Sequence, residues 1–130
     1  MIAALLLTLA TTQAGIASPP LPSDWAVLPP LRYDRRPDPP AGLDEFVRGE
    51  VSAGRCVLAH GATTLRVDLV VLVDGGVAVR VVPRAIGCAT VEQFAAGLLS
   101  RLARDHLDPA SADGWYRTTL SIAWAGPNHG

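Results

Sequence analysis

The clearest chemistry in this 130-residue chain belongs to its two cysteines, Cys56 and Cys88. An even cysteine count predicts a disulfide when the chain carries an export signal, as this one does by the features described below. A redox or nucleophilic thiol would instead require a CxxC spacing or a basic neighbour that lowers the thiol pKa. Neither cysteine belongs to such a motif. We therefore expect a structural disulfide between them.

The three histidines do not form a metal site by their spacing. His60, His106 and His129 lie far apart, and no acidic pair accompanies them in the sequence. A nucleophilic pair of Cys56 with His60 would be silenced by a disulfide. No serine lies in a GxSxG elbow, and no glycine-rich phosphate loop follows a strand. The sequence therefore predicts a protein that is not an enzyme, with no catalytic, cofactor-binding or metal-binding residues.

Residues 1–17 have the layout of a secretory signal peptide. An apolar run, Ile2 to Ala10, precedes small and polar residues and a small-residue cleavage site after Ala17. Polar residues at 11–13 interrupt the run before the roughly 20 apolar residues that a membrane anchor requires. We expect an exported protein, periplasmic or secreted, without stable membrane insertion. The alternative is an uncleaved anchor in the inner membrane, with the domain facing the periplasm.

Composition excludes several function classes and divides the rest of the chain. Eleven basic residues against twelve acidic ones argue against nucleic-acid binding, which depends on clustered positive charge. Residues 18–41 hold eight of the eleven prolines, which predicts an extended linker outside the core, with Trp25 and Tyr33 lying against the domain. Residues 42–126 are long enough for one small domain, and residues 127–130 form a tail.

A short helix and a hairpin are predicted at the start of that domain. Apolar residues at helical spacing follow Gly42, and Gly54 ends the helix; they are Leu43, Phe46, Val47 and Val51. Apolar residues then alternate from Leu65 to Val73, as in a half-buried strand. Asp74-Gly75-Gly76 is a tight turn. The return strand ends at Pro83 and is expected to point Val77, Val79 and Val81 inward, with Ala78, Arg80 and Arg84 outward.

A long helix and a last strand complete the predicted domain. Thr90 and Gln93 fit a capping box for a helix that runs to about Leu107. The final strand, Trp115 to Trp124, alternates again, with Arg117, Thr119 and Ser121 on one face. Hairpin, helix and strand predict an α+β fold, in which a small antiparallel sheet of about three strands is packed by one main helix and preceded by a short helix.

In this order, the motifs of residues 65–124 resemble the C-terminal domain of the TonB energy transducers. The parts that carry the resemblance are Asp74-Gly75, Val77 to Val82, Gly87, Val91-Glu92 with Ala95, Pro109-Ala110, Gly114 and Thr118 to Trp124. The chain is similar to that family as a small exported variant with a cysteine pair. The family's domain adds a segment of an outer-membrane transporter as an extra strand at a sheet edge.

The resemblance implies a protein or peptide partner, with outer-membrane proteins among those expected, bound by strand addition at the final strand. The residues implied for this edge are Trp115, Arg117, Thr119 and Ser121. Three alternatives remain open: a small secreted hydrolase or ligand-binding protein using the loop around His60 and the Ala85–Cys88 turn, a membrane-anchored energy transducer for outer-membrane transport, and a homodimer formed through the same edge.

Overall fold

The structure, a computed structural model, describes residues 19–35, 38, 42–58 and 61–123. Its elements are α1 (Leu43–Ser52), β1 (Thr64–Asp74), β2 (Val77–Pro83), α2 (Ala89–Arg104) and β3 (Gly114–Ala123). The strands form an antiparallel sheet in the order β2-β1-β3. The predicted α+β class, with one main helix and a short helix before the sheet, is confirmed. The predicted signal peptide and tail, as well as His60, Trp124 and His129, lie outside the described residues.

Strand β1 is central in the sheet, and apolar layers cover both of its faces. The alternating residues from Leu65 to Val73 point toward α2 as predicted, and Leu69 and Val71 are fully buried there. Val70 and Leu72, on the opposite face, are also buried, in a second cluster with Trp115. A strand buried on both faces needs cover from two sides, whereas its alternating pattern at the start predicts cover from one.

The hairpin turn is confirmed, but the predicted faces of β2 are partly wrong. Gly75 and Gly76 both have positive φ, 61° and 78°, as a two-residue hairpin turn requires. The pairing of β1 with β2 then shifts by one residue, so that Val79 has no partner between Ala78 and Arg80. This bulge reverses the alternation. As a result Ala78 packs against the core, whereas Val77 and Val79 are exposed.

Both helices form, with a different start for α2. Helix α1 places Leu43 and Val47 in the core, and its Phe46 ring stacks on Phe94 of α2 at 4.3 Å between ring centres. Helix α2 begins after Cys88, before the predicted Thr90 cap. The carboxylate of Glu92 accepts the N–H groups of Ile86 and Cys88, each at 3.1 Å. Glu92 therefore takes the reach-back role predicted for Gln93, because the helix starts earlier.

The C-terminal end of α2 also differs from the prediction. The helix ends at Arg104, not near Leu107. Leu107 instead pairs with Tyr33 in an isolated bridge, and Asp34 N–H donates to the carbonyl of His106 at 2.8 Å. These contacts with the proline-rich segment replace the last predicted turn of the helix.

The disulfide between Cys56 and Cys88 is present, with 4.3 Å between the two Cα atoms. Cys88 is fully buried and lies at the start of α2, whereas Cys56 follows α1. The main chain is joined at the same place, because Val57 N–H donates to the Gly87 carbonyl at 3.0 Å. The bond therefore connects the end of the first helix to the start of the second.

The prediction that residues 18–41 lie outside the core is wrong, although Trp25 and Tyr33 lie against the domain as expected. Leu31 is only 9% exposed and belongs to the main core, and Trp25 and Leu28 pack on the second cluster. The segment is not extended throughout, because Leu28 N–H donates to the Trp25 carbonyl at 3.2 Å and closes a turn at residues 25–28. Apolar residues between the prolines pack on the face of the sheet that neither α1 nor α2 covers. The segment therefore forms a third layer of the fold.

Removal of the disulfide tests how far it stabilises the fold. Cys56→Ala retains the buried sulfur of Cys88 but opens a loop of 32 residues, which should lower the free energy of unfolding by about 3–4 kcal/mol in the chain-entropy account. Urea denaturation measures this change. A reducing agent should destabilise the wild type to the same extent and leave the variant unchanged. Equal stability of the oxidised wild type and the variant would contradict the expectation.

A matched pair of substitutions tests the start of α2. Glu92→Ala removes the acceptor of two N–H groups and should lower the free energy of unfolding by about 1–2 kcal/mol. Gln93 is exposed, so Gln93→Ala should change stability by less than about 0.5 kcal/mol. Thermal and urea unfolding compare the two variants. A larger loss of stability for Gln93→Ala than for Glu92→Ala would instead support the cap predicted from the sequence.

Candidate functional site

The four predicted edge residues all lie on β3, at one end of the strand order. This strand pairs with β1 over its whole length without a register shift, from Gly114 opposite Val73 to Ala123 opposite Thr64. Alternate residues of a strand direct their main-chain groups to opposite sides. Since Arg117 directs its N–H and C=O away from β1, Trp115, Thr119 and Ser121 do the same. The predicted residues therefore share the outer edge of the sheet.

The centre of this edge is occupied by the protein's own proline-rich segment. Arg117 N–H donates to the carbonyl of Pro29 at 2.9 Å, and its carbonyl accepts Leu31 N–H at 2.8 Å. Pro30 thereby pairs with Arg117 in parallel. The Arg117 side chain adds a bond from Nε to the Leu28 carbonyl at 2.9 Å. The edge is therefore shorter than predicted, because residues 28–31 already cover Arg117.

Trp115 is covered as well. Its side chain is only 9% exposed and packs in the cluster that Trp25 and Leu28 complete. The Arg80 guanidinium lies 5.7 Å from the centre of the Trp115 ring, a cation–π contact. Trp115 serves as the anchor of the second apolar layer, so its side chain is not presented to a partner.

Thr119 and Ser121 remain accessible. Both are exposed, and none of the described residues forms a hydrogen bond with their outward main-chain groups. The proline-rich segment turns away from the edge beyond Leu31, because Arg32 and Asp34 are held by the 106–108 turn. The open part of the edge therefore starts at Thr119 and runs to the end of β3.

A polar groove of about 270 Å³ lies on the sheet face next to this open part of the edge. Asp68 is at its centre and accepts the Thr119 hydroxyl at 2.8 Å and Arg66 Nε at 3.1 Å. Arg84 lies on the opposite side, stacked 4.6 Å above the centre of the Trp25 ring. The groove also includes Arg117. The outward positions of Arg84 and Arg117 were predicted from the sequence, but the groove was not. It forms only because Trp25, from a distant part of the chain, lies over this face of the sheet.

The pKa of the Asp68 carboxyl lies below its ordinary value. Partial burial alone would raise it, since burial disfavours the charged form. The hydrogen bonds from Thr119 and Arg66, with the charges of Arg66 and Arg84, outweigh that effect. Asp68 is therefore ionised across the neutral range and holds Arg66 in place.

The site predicted for the hydrolase alternative is only partly described, because His60 lies outside the described residues. In the Ala85–Cys88 turn, the N–H groups of Ile86 and Cys88 are bound to Glu92, and the Gly87 carbonyl is bound to Val57. Across the described ranges, no cluster of three His, Cys, Asp or Glu side chains is placed to hold a metal ion. Nor does any helix in those ranges have the length and hydropathy to cross a membrane.

Comparisons of the chain with protein-family models, curated proteins and solved structures give no significant match. The resemblance to the TonB C-terminal domain stays a prediction from the sequence motifs.

The low pKa of Asp68 predicts a specific acid sensitivity. Because folding lowers this pKa, its stabilising contribution is complete above the unfolded value of about 3.9 and is lost as the pH falls through the folded value. Asp68→Asn should therefore show a smaller fall in Tm between neutral and acidic pH than the wild type. Asp105→Asn, at the exposed end of α2, is the control. Parallel pH profiles for Asp68→Asn and the wild type would exclude this role.

Proposed function

We propose that this protein is an exported, non-enzymatic interaction module of the TonB C-terminal type, which binds an extended protein segment by strand addition at β3. The observation that carries the proposal is the pairing of Pro29–Leu31 with Arg117. This edge already accepts an added segment through two main-chain bonds, beside the bond from the Arg117 side chain to Leu28. Main-chain groups of this kind are the basis of strand addition in peptide recognition.

Strand β3 is better suited to addition than β2, the other edge of the sheet. The bulge at Val79 interrupts the regular pairing of β2, and bulges twist an edge so that it pairs poorly. Strand β3 is regular over ten residues. A partner strand can therefore keep one register along Thr119, Ser121 and Ala123, beside the segment already in place.

The disulfide supports the proposed compartment. Bonds such as that between Cys56 and Cys88 persist in oxidising environments, including the periplasm and the extracellular space. In the periplasm the proposed partner is an extended segment of another envelope protein, and outer-membrane proteins are the main candidates. A membrane-anchored transducer would use the same edge, and the two roles differ in the fate of residues 1–17.

A proline at the open edge tests strand addition. Ser121→Pro removes an outward N–H that is not part of the β1 ladder, and proline is tolerated at such edge positions. Short peptides selected from a random display library on the full-length protein should lose about tenfold or more in affinity. Ser121→Ala, which retains the N–H, should bind as the wild type does. Calorimetry measures both, and unchanged affinity for a folded Ser121→Pro protein would refute the proposal.

Amide exchange gives a readout that does not depend on the variant. In the wild type, saturation with a selected peptide should slow hydrogen exchange at the Thr119 and Ser121 amides, because strand addition bonds outward main-chain groups. Val67 and Val71 in the central ladder should be protected with or without peptide. Protection confined to another part of the molecule would place the peptide elsewhere and overturn strand addition at β3.

A further inference from the structure

The groove beside the open edge has a local charge unlike that of the whole chain. The chain carries a formal net charge of −1. The groove instead gathers three arginines from separate parts of the sheet around one carboxylate; they are Arg66, Arg84 and Arg117, with Asp68. Two positive charges are therefore left over among the groove's described residues. Such a surplus attracts a ligand of opposite charge.

Internal contacts orient the three guanidinium groups but leave part of their hydrogen-bonding capacity unused among the described residues. Arg66 and Arg117 each employ Nε in an internal hydrogen bond, to Asp68 and to the Leu28 carbonyl. Arg84 presents one face to the Trp25 ring. Among the described residues, the terminal nitrogens of these three side chains have no hydrogen-bond acceptor. Arginine held in this way is suited to charge-assisted bonds with a carboxylate.

We propose that the partner is an acidic extended protein segment, whose Asp or Glu side chain enters this groove from the strand added at β3. The inference rests on the proposed function and names the chemistry of its partner. A residue directly opposite Thr119 on the added strand would point to the groove face, with its Cβ about 5 Å away. Arg117 is its diagonal neighbour, and Arg66 is cross-strand from Ser121. One acidic side chain at this register lies beside Arg117, with Arg66 one strand further into the groove.

Two blocked peptides of about ten residues serve as probes, one alternating Glu with Val and the other Gln with Val. The full-length protein should bind the Glu peptide about tenfold more tightly at low ionic strength, because one charge-assisted bond contributes about that much. The advantage should shrink as salt screens the charges. NMR titration of the Thr119 and Ser121 amides follows both peptides on the same scale.

A charge-matched pair of double variants assigns the preference to the groove. Arg66→Gln with Arg84→Gln should remove most of the advantage of the Glu peptide. Arg101→Gln with Arg104→Gln makes the same change in net charge on exposed positions of α2 and should preserve it. Arg117 is left intact because it holds Leu28. Equal losses in both double variants would show a general charge effect and overturn the inference.

The outcomes separate this inference from the proposed function. If Ser121→Pro abolishes the binding of both peptides and the wild type binds them equally, strand addition stands and the acidic preference fails. If the Glu peptide keeps its advantage on Ser121→Pro, the groove binds carboxylates but strand addition fails. If inorganic phosphate saturates the groove and removes that advantage in the wild type, the site takes small anions and the acidic segment is excluded. Binding of neither peptide contradicts the inference.

Discussion

The rest of the structure depends on the burial of β1 on both faces. Its residues Leu69 and Val71 face α2, and Val70 and Leu72 face the proline-rich segment. Both of its edges are paired, to β2 and to β3. Because the side chains on both faces of β1 are apolar, each face must be buried by other apolar side chains. Helix α2 packs on one face and residues 25–31 pack on the other. The position of the proline-rich segment on β3 follows from this demand, because its route across the second face leads to that edge.

The parts of the fold that were predictable are those written in local patterns. The alternation from Leu65 to Val73, the turn at Gly75 and Gly76 and the apolar stripe of α2 each identify one element. Val79 shows where such reasoning ends, because an unbroken alternation in sequence cannot reveal a bulge. The cap of α2 shows the same limit, since the N-cap of the helix is Cys88 and not Thr90, and Glu92 instead of Gln93 accepts the N–H groups at its start.

The position of the candidate site on the last strand was predictable, but its partial occupation by another segment of the chain was not. The last strand of the chain was expected at an edge, and β3 lies there. Its occupation by Pro29–Leu31 joins residues almost ninety positions apart, since the bond from Arg117 to Leu28 spans 89. No periodicity reports a contact at that distance. Leu28 and Leu31 are apolar residues among prolines, and they were the sequence signal for this packing. The high proline content around them nevertheless predicted a linker.

The internal strand also bears on self-association, because a long regular edge is a hazard for uncontrolled pairing. Residues 28–31 close the middle of β3, and the bulge at Val79 disturbs β2. The described residues leave only the short stretch from Thr119 to Ala123 uncovered, and arginines flank it. Two copies paired there would place the positive charges of both grooves beside one interface, and like charges repel. Under the proposed strand addition, this charge makes a second copy a less favourable occupant of the edge than an acidic segment.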